Sequence, residues 1–179
     1  MGTPHTARNI LVIGGGPAAH RFTEALASRA PQDLHITVLT EETHLPYDRV
    51  ALSQALTNPG VDLTLGDPRL WEAEHVTLET NAMAVAIDST KRVVATKDGR
   101  TFRYDELVLA TGSNAATLPI AGNEHTFVYR TLEDVWSIAE KVKELSTTLG
   151  RAPVVATIGG GLLGLEAAAG AQALGAEAV

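Results

Sequence analysis

Residues 9–19 read Asn-Ile-Leu-Val-Ile-Gly-Gly-Gly-Pro-Ala-Ala, an apolar run that ends in a glycine-rich turn. The run Asn9–Ile13 predicts a buried parallel strand, and a helical pattern begins directly after the glycines. Gly14 and Gly16 permit a tight strand-to-helix turn and leave no side chain between backbone N–H groups and a bound anion. The stretch therefore predicts a strand, a turn and a helix arranged to bind a phosphate group.

The residues after the glycines fit the start of a helix. Pro17 suits the first helical position, because its missing N–H costs nothing there. Ala18 begins an apolar face at helical spacing, and the pattern breaks at residues 30–33. Ala19 is small enough for close packing of the helix on the strand, like the last residue of a G-x-G-x-x-G/A fingerprint. The backbone of this turn is therefore a candidate pyrophosphate site.

An acidic pair follows the second predicted strand. Leu34–Leu39 is rich in β-branched residues and ends at Thr40-Glu41-Glu42. A carboxylate about 20 residues beyond such a turn is the acceptor expected for a ribose hydroxyl. We expect this role for Glu41, with Glu42 as the second candidate, and solvated loop charges are the alternative for both. The order of strand, turn, helix, strand and acid indicates dinucleotide binding.

Arg49 lies in a loop that leads into a short helix. Its guanidinium can pair with a phosphate or carboxylate through two hydrogen bonds, and nearby Tyr47 can stack or hydrogen-bond. A surface arginine beside Asp48 is the alternative, and a single sequence leaves both open.

The hydrophobic period changes to two in the middle of the chain. Three short alternating runs follow one another: Met83–Ile87, Val93–Thr96 and Thr101–Tyr104. The Asp98-Gly99 step is a strong hairpin signal, so these runs predict a small antiparallel meander inserted into a parallel α/β chain. Leu107–Ala110 then predicts a buried strand that ends at Thr111-Gly112-Ser113.

A second glycine fingerprint lies near residue 160. The predicted strand Pro153–Ile158 runs into Gly159-Gly160-Gly161-Leu162-Leu163-Gly164, a full G-x-G-x-x-G, and the alanine-rich helix Leu165–Leu174 follows. The three glycines of the motif are Gly159, Gly161 and Gly164; they supply the turn, the close backbone approach and the helix packing. Two such units predict two dinucleotide sites on one chain. An internal duplication with one inactive site is the alternative.

The composition argues against several other classes of function. The 179 residues carry a net charge of −7 and no basic cluster, so we expect no nucleic-acid partner. The absence of cysteine excludes a disulfide framework, thiolate metal sites and a C-x-x-C redox pair within this stretch, and no metal site is predicted. No run is long enough to span a membrane and the polar start of the chain is unlike a signal peptide, so we expect a cytoplasmic protein.

These motifs resemble the two-dinucleotide flavoproteins of the pyridine nucleotide-disulfide oxidoreductase fold. The resemblance extends from about Asn9 to Val179, and four motifs carry it: GGGPAA at 14–19, PYDRVALS at 46–53, LVLATGS at 107–113 and GGGLLGLE at 159–166. It implies an α/β fold in which residues 1–122 form a Rossmann-like FAD-binding domain, a parallel sheet with the antiparallel β-meander as an insert. Residues 123–179 would begin a second Rossmann domain that binds NAD(P)H. Since the next strand of that domain would follow Val179, we expect the chain to be a fragment of a larger enzyme.

Two branches of this family fit the motifs. Residues 47–53, 127–134 and 159–168 look most like the large subunit of NADH-dependent assimilatory nitrite reductase. Residues 41–53 also look like ferredoxin reductases that serve ring-hydroxylating dioxygenases. Those reductases commonly carry Pro and Lys where this chain has Val50 and Gln54, which favours the nitrite reductase-like branch. A ferredoxin or rubredoxin reductase-like flavoprotein and a non-catalytic dinucleotide-binding module stay open.

The resemblance also implies roles for individual residues. Hydride would pass from NAD(P)H to FAD and electrons would pass on to an acceptor protein or domain, with no side chain of this chain needed as acid, base or nucleophile. The expected FAD contacts are the backbone of Gly14, Gly16, Pro17, Ala18 and Ala19, the ribose acceptor Glu41, the phosphate- or adenine-side charge of Arg49, and Thr111 and Gly112. The pyridine nucleotide would lie on the turn Gly159–Gly164. Glu166 would face the nicotinamide, with a helix-surface glutamate as the alternative, and the oligomeric state is left open.

Overall fold

Strands and helices alternate along the chain in the order that the sequence predicts. A computed structural model describes residues 7–29, 33–117 and 119–179, so residues 30–32 of the predicted helix break and residues 1–6 of the polar start lie outside the described residues. The elements are β1 (Arg8–Ile13), α1 (Pro17–Ala27), β2 (Leu34–Leu39), α2 (Leu52–Thr57), β3 (Val76–Glu79), β4 (Ala84–Asp88), β5 (Val93–Thr96), β6 (Thr101–Arg103), β7 (Glu106–Leu109), α3 (Leu132–Leu149), β8 (Val154–Val155), α4 (Leu162–Ala173) and β9 (Glu177–Ala178). Short 3-10 helices occupy Arg49–Ala51, Pro68–Glu72 and Asn123–His125.

The main sheet has the strand order β3-β2-β1-β7, and all its pairings are parallel. β1 lies in the interior of the sheet, where Val12 pairs with Val38 on one side and Val108 on the other. Its residues are buried on both faces: Val12 belongs to a core that includes Ala19 of α1, and Leu11 belongs to a second core on the other side. A strand buried on both faces explains the continuous apolar run in the sequence.

The three-stranded antiparallel sheet β4-β5-β6 confirms the predicted meander. Its fully buried Val94 packs into the core that contains Leu11 and Leu39 of the parallel sheet. The predicted Asp98-Gly99 turn joins β5 to β6. The insert therefore provides part of the apolar surface that buries one face of the parallel sheet.

The described chain divides into two units. The first contains the described residues of 1–47 and 64–113, and the second contains 48–63 together with the described residues of 114–179. The predicted domains, residues 1–122 for FAD and 123–179 for NAD(P)H, are a functional division that stays a prediction.

The second unit is built on α3, and α2 packs against both α3 and α4. A capping box opens α3: the Asp134 amide donates to Thr131 Oγ1 (3.2 Å), and the Thr131 amide donates to Asp134 Oδ2 (2.8 Å). α3 is the longest helix of the described residues, and no helix among them is both long and apolar enough to cross a membrane.

The second strand-turn-helix unit differs in its bounds from the prediction. The sequence predicts a strand over Pro153–Ile158, whereas β8 contains only Val154–Val155. β8 pairs in parallel with β9, and the Thr157 amide continues this ladder by donating to the Val179 carbonyl (2.9 Å). α4 begins at Leu162, directly after the glycine turn, rather than at the predicted Leu165.

We expect Asp98→Asn to remove an acid-sensitive part of the stability of the meander. The Thr96 hydroxyl and the Arg100 guanidinium both donate to the Asp98 carboxylate, and these hydrogen bonds lower its pKa from 3.8 to about 2. Because the folded-state pKa lies below the unfolded-state value, the ionised carboxylate stabilises the fold above pH of about 4 and loses this effect as the pH falls towards about 2. Melting temperatures from circular dichroism should therefore differ between wild type and variant at neutral pH, and the difference should shrink in acid.

The matched control for this prediction is Asp33→Asn, because Asp33 is an exposed aspartate just before β2. A difference between wild type and Asp98→Asn that stays constant down to pH of about 2 would contradict the assignment.

Candidate dinucleotide-binding turns

The first glycine turn lies at the carboxyl edge of the parallel sheet, where three strand ends meet. The Gly14 amide donates to the Leu39 carbonyl at the end of β2 (2.9 Å). A Cβ at Gly14 would lie 2.1 Å from the Ala110 carbonyl oxygen, just after β7, and the Gly14 φ is +117°. Both the conformation and the contact exclude a side chain, so only glycine fits at this position.

Gly15 is also sterically required, which the sequence pattern did not indicate. A Cβ at Gly15 would lie 2.4 Å from the Oγ1 atom of buried Thr40. The same Oγ1 accepts a hydrogen bond from the Glu42 amide (3.3 Å), so it also shapes the loop after β2. This constraint comes from packing between the two loops, and no local motif could have revealed it.

The N-terminus of α1 has no side-chain cap. Gly16 is the N-cap in an extended conformation (φ −86°, ψ −175°), and Pro17 takes the first helical position as predicted. The first-turn N–H groups, which include those of Ala18 and Ala19, lack intrahelical acceptors. Gly16 is half-buried, Pro17 and Ala18 are exposed, and Ala19 is fully buried. Accessible N–H groups at the positive end of a helix are chemically suited to a phosphate.

The two acidic candidates after β2 have different environments. Tyr47 is buried, and its hydroxyl donates to Glu42 Oε2 at 2.6 Å, so the Glu42 carboxylate already has a protein partner. The Glu41 side chain is exposed at the tip of the strand. Of the two carboxylates, that of Glu41 is therefore the more accessible to solvent.

Thr111 and Gly112 follow β7 and lie in the same unit as the first turn. Both are exposed, and the Gly14 backbone approaches this segment through Ala110. The first unit thus gathers the Gly14 turn, Glu41 and Thr111 at the carboxyl ends of neighbouring parallel strands, which is where open α/β sheets bind ligands.

Arg49 belongs to the second unit, unlike the first glycine turn. Its side chain is half-buried, and Nη1 donates to the Arg130 carbonyl oxygen at 3.2 Å. Within the second unit, the predicted phosphate-side arginine therefore also holds the backbone just before α3.

The second glycine turn repeats the geometry of the first. Gly159 has φ +124°, and Gly161 is the N-cap of α4 with φ −80°, ψ 177° and no side-chain cap. A Cβ at Gly164 would lie 1.9 Å from the Gly159 carbonyl oxygen, so the helix packs directly on its own turn. Gly159 therefore forms the turn and Gly164 the close helix packing that the motif predicts, and Gly161 is the N-cap of the helix.

Glu166 is half-buried in α4, two residues beyond Gly164. Burial raises the pKa of Tyr129 above its ordinary value, and the negative charge of Glu166 raises that pKa further. Glu166, the predicted nicotinamide contact, thus lies within electrostatic reach of the half-buried Tyr129, which the sequence pattern did not single out.

Two strand-turn-helix units of matching geometry define a Rossmann-like α/β protein with two dinucleotide-binding-type turns. The model of the pyridine nucleotide-disulphide oxidoreductase family matches residues 8–179. The chain belongs to this family, whose members use FAD and NAD(P)H.

Individual relatives agree with this assignment. The large subunit of nitrite reductase (NADH) from Escherichia coli is 36% identical over 172 residues, which cover 94% of this chain and 20% of that protein. The ferredoxin–NAD(+) reductase component of the anthranilate 1,2-dioxygenase system of Burkholderia cepacia is 36% identical over 175 residues, 95% of this chain and 41% of the relative. The crystal structure of NADH:rubredoxin oxidoreductase from Clostridium acetobutylicum matches with a TM-score of 0.76 and 27% identity, over 97% of this chain and 44% of that one. The chain thus spans about a fifth of the length of the nitrite reductase relative.

We expect Gly14→Ala to be far more destabilising than Gly99→Ala. Both glycines have positive φ, but a Cβ at Gly99 meets nothing within 4 Å, whereas one at Gly14 would overlap the Ala110 carbonyl. Backbone strain alone predicts a loss of about 1–3 kcal/mol at each site, and the overlap at Gly14 adds to it. Urea unfolding followed by circular dichroism measures both variants, and equal losses would contradict the close approach.

Proposed function

We propose that this chain forms the FAD- and pyridine nucleotide-binding part of an oxidoreductase of the nitrite reductase-like branch. When bound, the cofactors supply hydride transfer from NAD(P)H to FAD and onward electron transfer to an acceptor protein or domain. The observation that carries this proposal is the pair of glycine turns with the same backbone geometry and with uncapped helix N-termini.

The first turn is the proposed FAD site. The backbone N–H groups of Gly14–Ala19 suit a pyrophosphate because this stretch is partly accessible and no side chain caps the helix. The exposed Glu41 carboxylate suits the adenosine ribose, and Glu42 is second because Tyr47 already binds it. Thr111 and Gly112 are proposed to lie along the FAD, and Arg49 to supply positive charge on its phosphate or adenine side.

The second turn is the proposed pyridine nucleotide site. Gly159 and Gly161 leave the backbone accessible to the phosphates, since both are exposed and a Cβ at either position would meet nothing within 4 Å. Gly164 lets α4 reach the turn closely enough for its N-terminus to contribute to binding. Glu166 is proposed to accept from the nicotinamide carboxamide.

The two catalytic functions that we consider differ in the electron acceptor. The nitrite reductase relative and the departures at Val50 and Gln54 favour a nitrite reductase-like acceptor domain. A ferredoxin or rubredoxin reductase-like role is the second candidate, because the Burkholderia relative and the Clostridium structure carry those names.

We propose the cytoplasm as the location, residues 1–122 as the FAD domain and residues 123–179 as the beginning of the NAD(P)H domain.

We expect Glu41→Gln to weaken FAD binding by about ten- to a hundredfold, because a hydrogen bond to a charged group contributes about 1.5–3 kcal/mol. The measurement is a flavin fluorescence titration of the full-length apoprotein. Glu42→Gln is the matched control, since its carboxylate is bonded to Tyr47, and it should change FAD affinity by less than about threefold. If only Glu42→Gln weakens binding, the ribose role passes to Glu42.

We also expect the purified full-length protein to contain flavin and to oxidise NAD(P)H in the presence of an artificial electron acceptor. Nitrite and oxidised ferredoxin, supplied in separate assays as the electron acceptor, then distinguish the two acceptor classes. A folded preparation that is colourless and cannot be reconstituted with FAD overturns the proposal. Flavin binding without any NAD(P)H oxidation would instead favour the non-catalytic module.

A further inference from the structure

A buried hydroxyl in the second unit has no hydrogen-bond partner among the described residues. Tyr129 Oη is inaccessible to solvent, and no donor or acceptor in that part of the chain completes a hydrogen bond with it. The Ser53 hydroxyl lies close enough to the phenol to lower its pKa, but the geometry of the pair does not meet that of a hydrogen bond. A buried polar atom without a partner costs about 1–3 kcal/mol, so this one calls for an explanation.

Contact between two helices brings the possible partners of this hydroxyl together. A Cβ at Gly170 of α4 would lie 2.2 Å from Leu56 Cδ2 of α2, so these helices are in close contact there. Ser53 precedes Leu56 by three residues, and Glu166 precedes Gly170 by four. Residues at these spacings share a helix face, so Ser53 and Glu166 both lie one turn from the contact, on the faces that meet.

The backbone that carries Tyr129 is held in place from both sides of Arg130. The Arg130 amide donates to Asp134 Oδ2 at 3.1 Å, and the Arg130 carbonyl accepts from Arg49 Nη1 at 3.2 Å. These bonds tie the end of the preceding loop to α3 and to the 3-10 helix Arg49–Ala51. The backbone next to Tyr129 is thus fixed by hydrogen bonds. A side chain that orients another one needs such a fixed backbone.

The protonation states of the cluster make the hydroxyl a donor. Burial and the charge of Glu166 both raise the pKa of Tyr129, so the phenol stays protonated at neutral pH. A protonated phenol has one O–H to donate, an ionised carboxylate only accepts, and the Ser53 hydroxyl can donate to Oη. The hydrogen bonds that suit these groups therefore run from the Ser53 hydroxyl to Tyr129 Oη, and from the Tyr129 hydroxyl to the Glu166 carboxylate.

We propose that Tyr129 is a positioning residue whose hydroxyl, supported by Ser53, donates to the Glu166 carboxylate and orients it beside the second glycine turn. The free oxygen of that carboxylate then accepts from the amide N–H₂ of a carboxamide such as that of nicotinamide. The inference rests on the proposed function, because the ligand must be a pyridine nucleotide at Gly159–Gly164.

The first test measures the cluster without any cofactor. The full-length protein is labelled with ring-¹³C tyrosine, and the Tyr129 resonance is assigned by its loss in Tyr129→Phe. Glu166→Gln should lower the pKa of Tyr129, because it removes the neighbouring negative charge, and Ser53→Ala should raise that pKa, because it removes the hydroxyl whose interaction with the phenol lowers it. Glu177→Gln, at an exposed position of β9, is the control and should leave the titration unchanged. If the pKa of Tyr129 is the same in the wild type and in Glu166→Gln, the proposal is overturned.

The second test compares NAD⁺ with ADP-ribose, which lacks the nicotinamide ring. Tyr129→Phe should weaken NAD⁺ binding by about tenfold, the equivalent of about 1.4 kcal/mol, and leave ADP-ribose binding unchanged. Tyr104→Phe is the matched control and should affect neither ligand. Isothermal titration calorimetry on the full-length protein gives all the affinities.

The outcomes of the second test separate the inference from the proposed function. Equal weakening of both ligands would assign Tyr129 a purely structural role, and unchanged NAD⁺ affinity would remove it from the site; either result overturns the inference while wild-type binding upholds the nucleotide site. Failure of the wild type to bind either ligand overturns the proposed nucleotide site, and the inference with it.

Discussion

The approach of Gly14 to the Ala110 carbonyl is the constraint on which the first unit depends. One residue contacts the ends of three parallel strands, because its amide binds Leu39 and its Cα lies against the backbone after β7. Any side chain would force β7 and the segment 111–113 away from β1. The same contact therefore holds three strand ends together and leaves no side chain over the turn that we propose as the FAD site.

The two glycine turns have the same backbone geometry, but they differ in whether a methyl group fits at the last position of the motif. At Ala19 the methyl group is fully buried and packs in the core with Val12 and Val38. At Gly164 a methyl group would overlap the Gly159 carbonyl at 1.9 Å. The helix N-terminus thus lies closer to its turn in the second unit, so sequence comparison alone understates how strictly glycine is required there.

Local signals explain what could be predicted from the sequence. The alternation of strands and helices, the Asp98-Gly99 hairpin and the cap at Thr131 depend on neighbours within a few residues, and all three are present. The packing of Gly15 on Thr40 and the hydrogen bond from Tyr47 to Glu42 join loops whose approach is set by the tertiary fold. For the same reason the sequence pattern distinguished two adjacent acids only by their order, whereas their environments separate them.

Tertiary contacts also decided to which unit the segment 48–63 belongs. The segment precedes β3 in the chain, yet it packs in the second unit, and nothing in its composition marks that destination.

The membership of α2 in the second unit has a consequence for the order in which the chain folds. Leu52, Ala55 and Leu56 are buried in a unit whose main helices α3 and α4 begin only at residues 132 and 162. During synthesis these apolar side chains leave the ribosome long before their partners exist, while β1, α1, β2 and the meander can already assemble. Closing such a non-local contact is slow. The second unit is therefore the late-folding one, and α2 is the segment most in need of protection until α4 has been made.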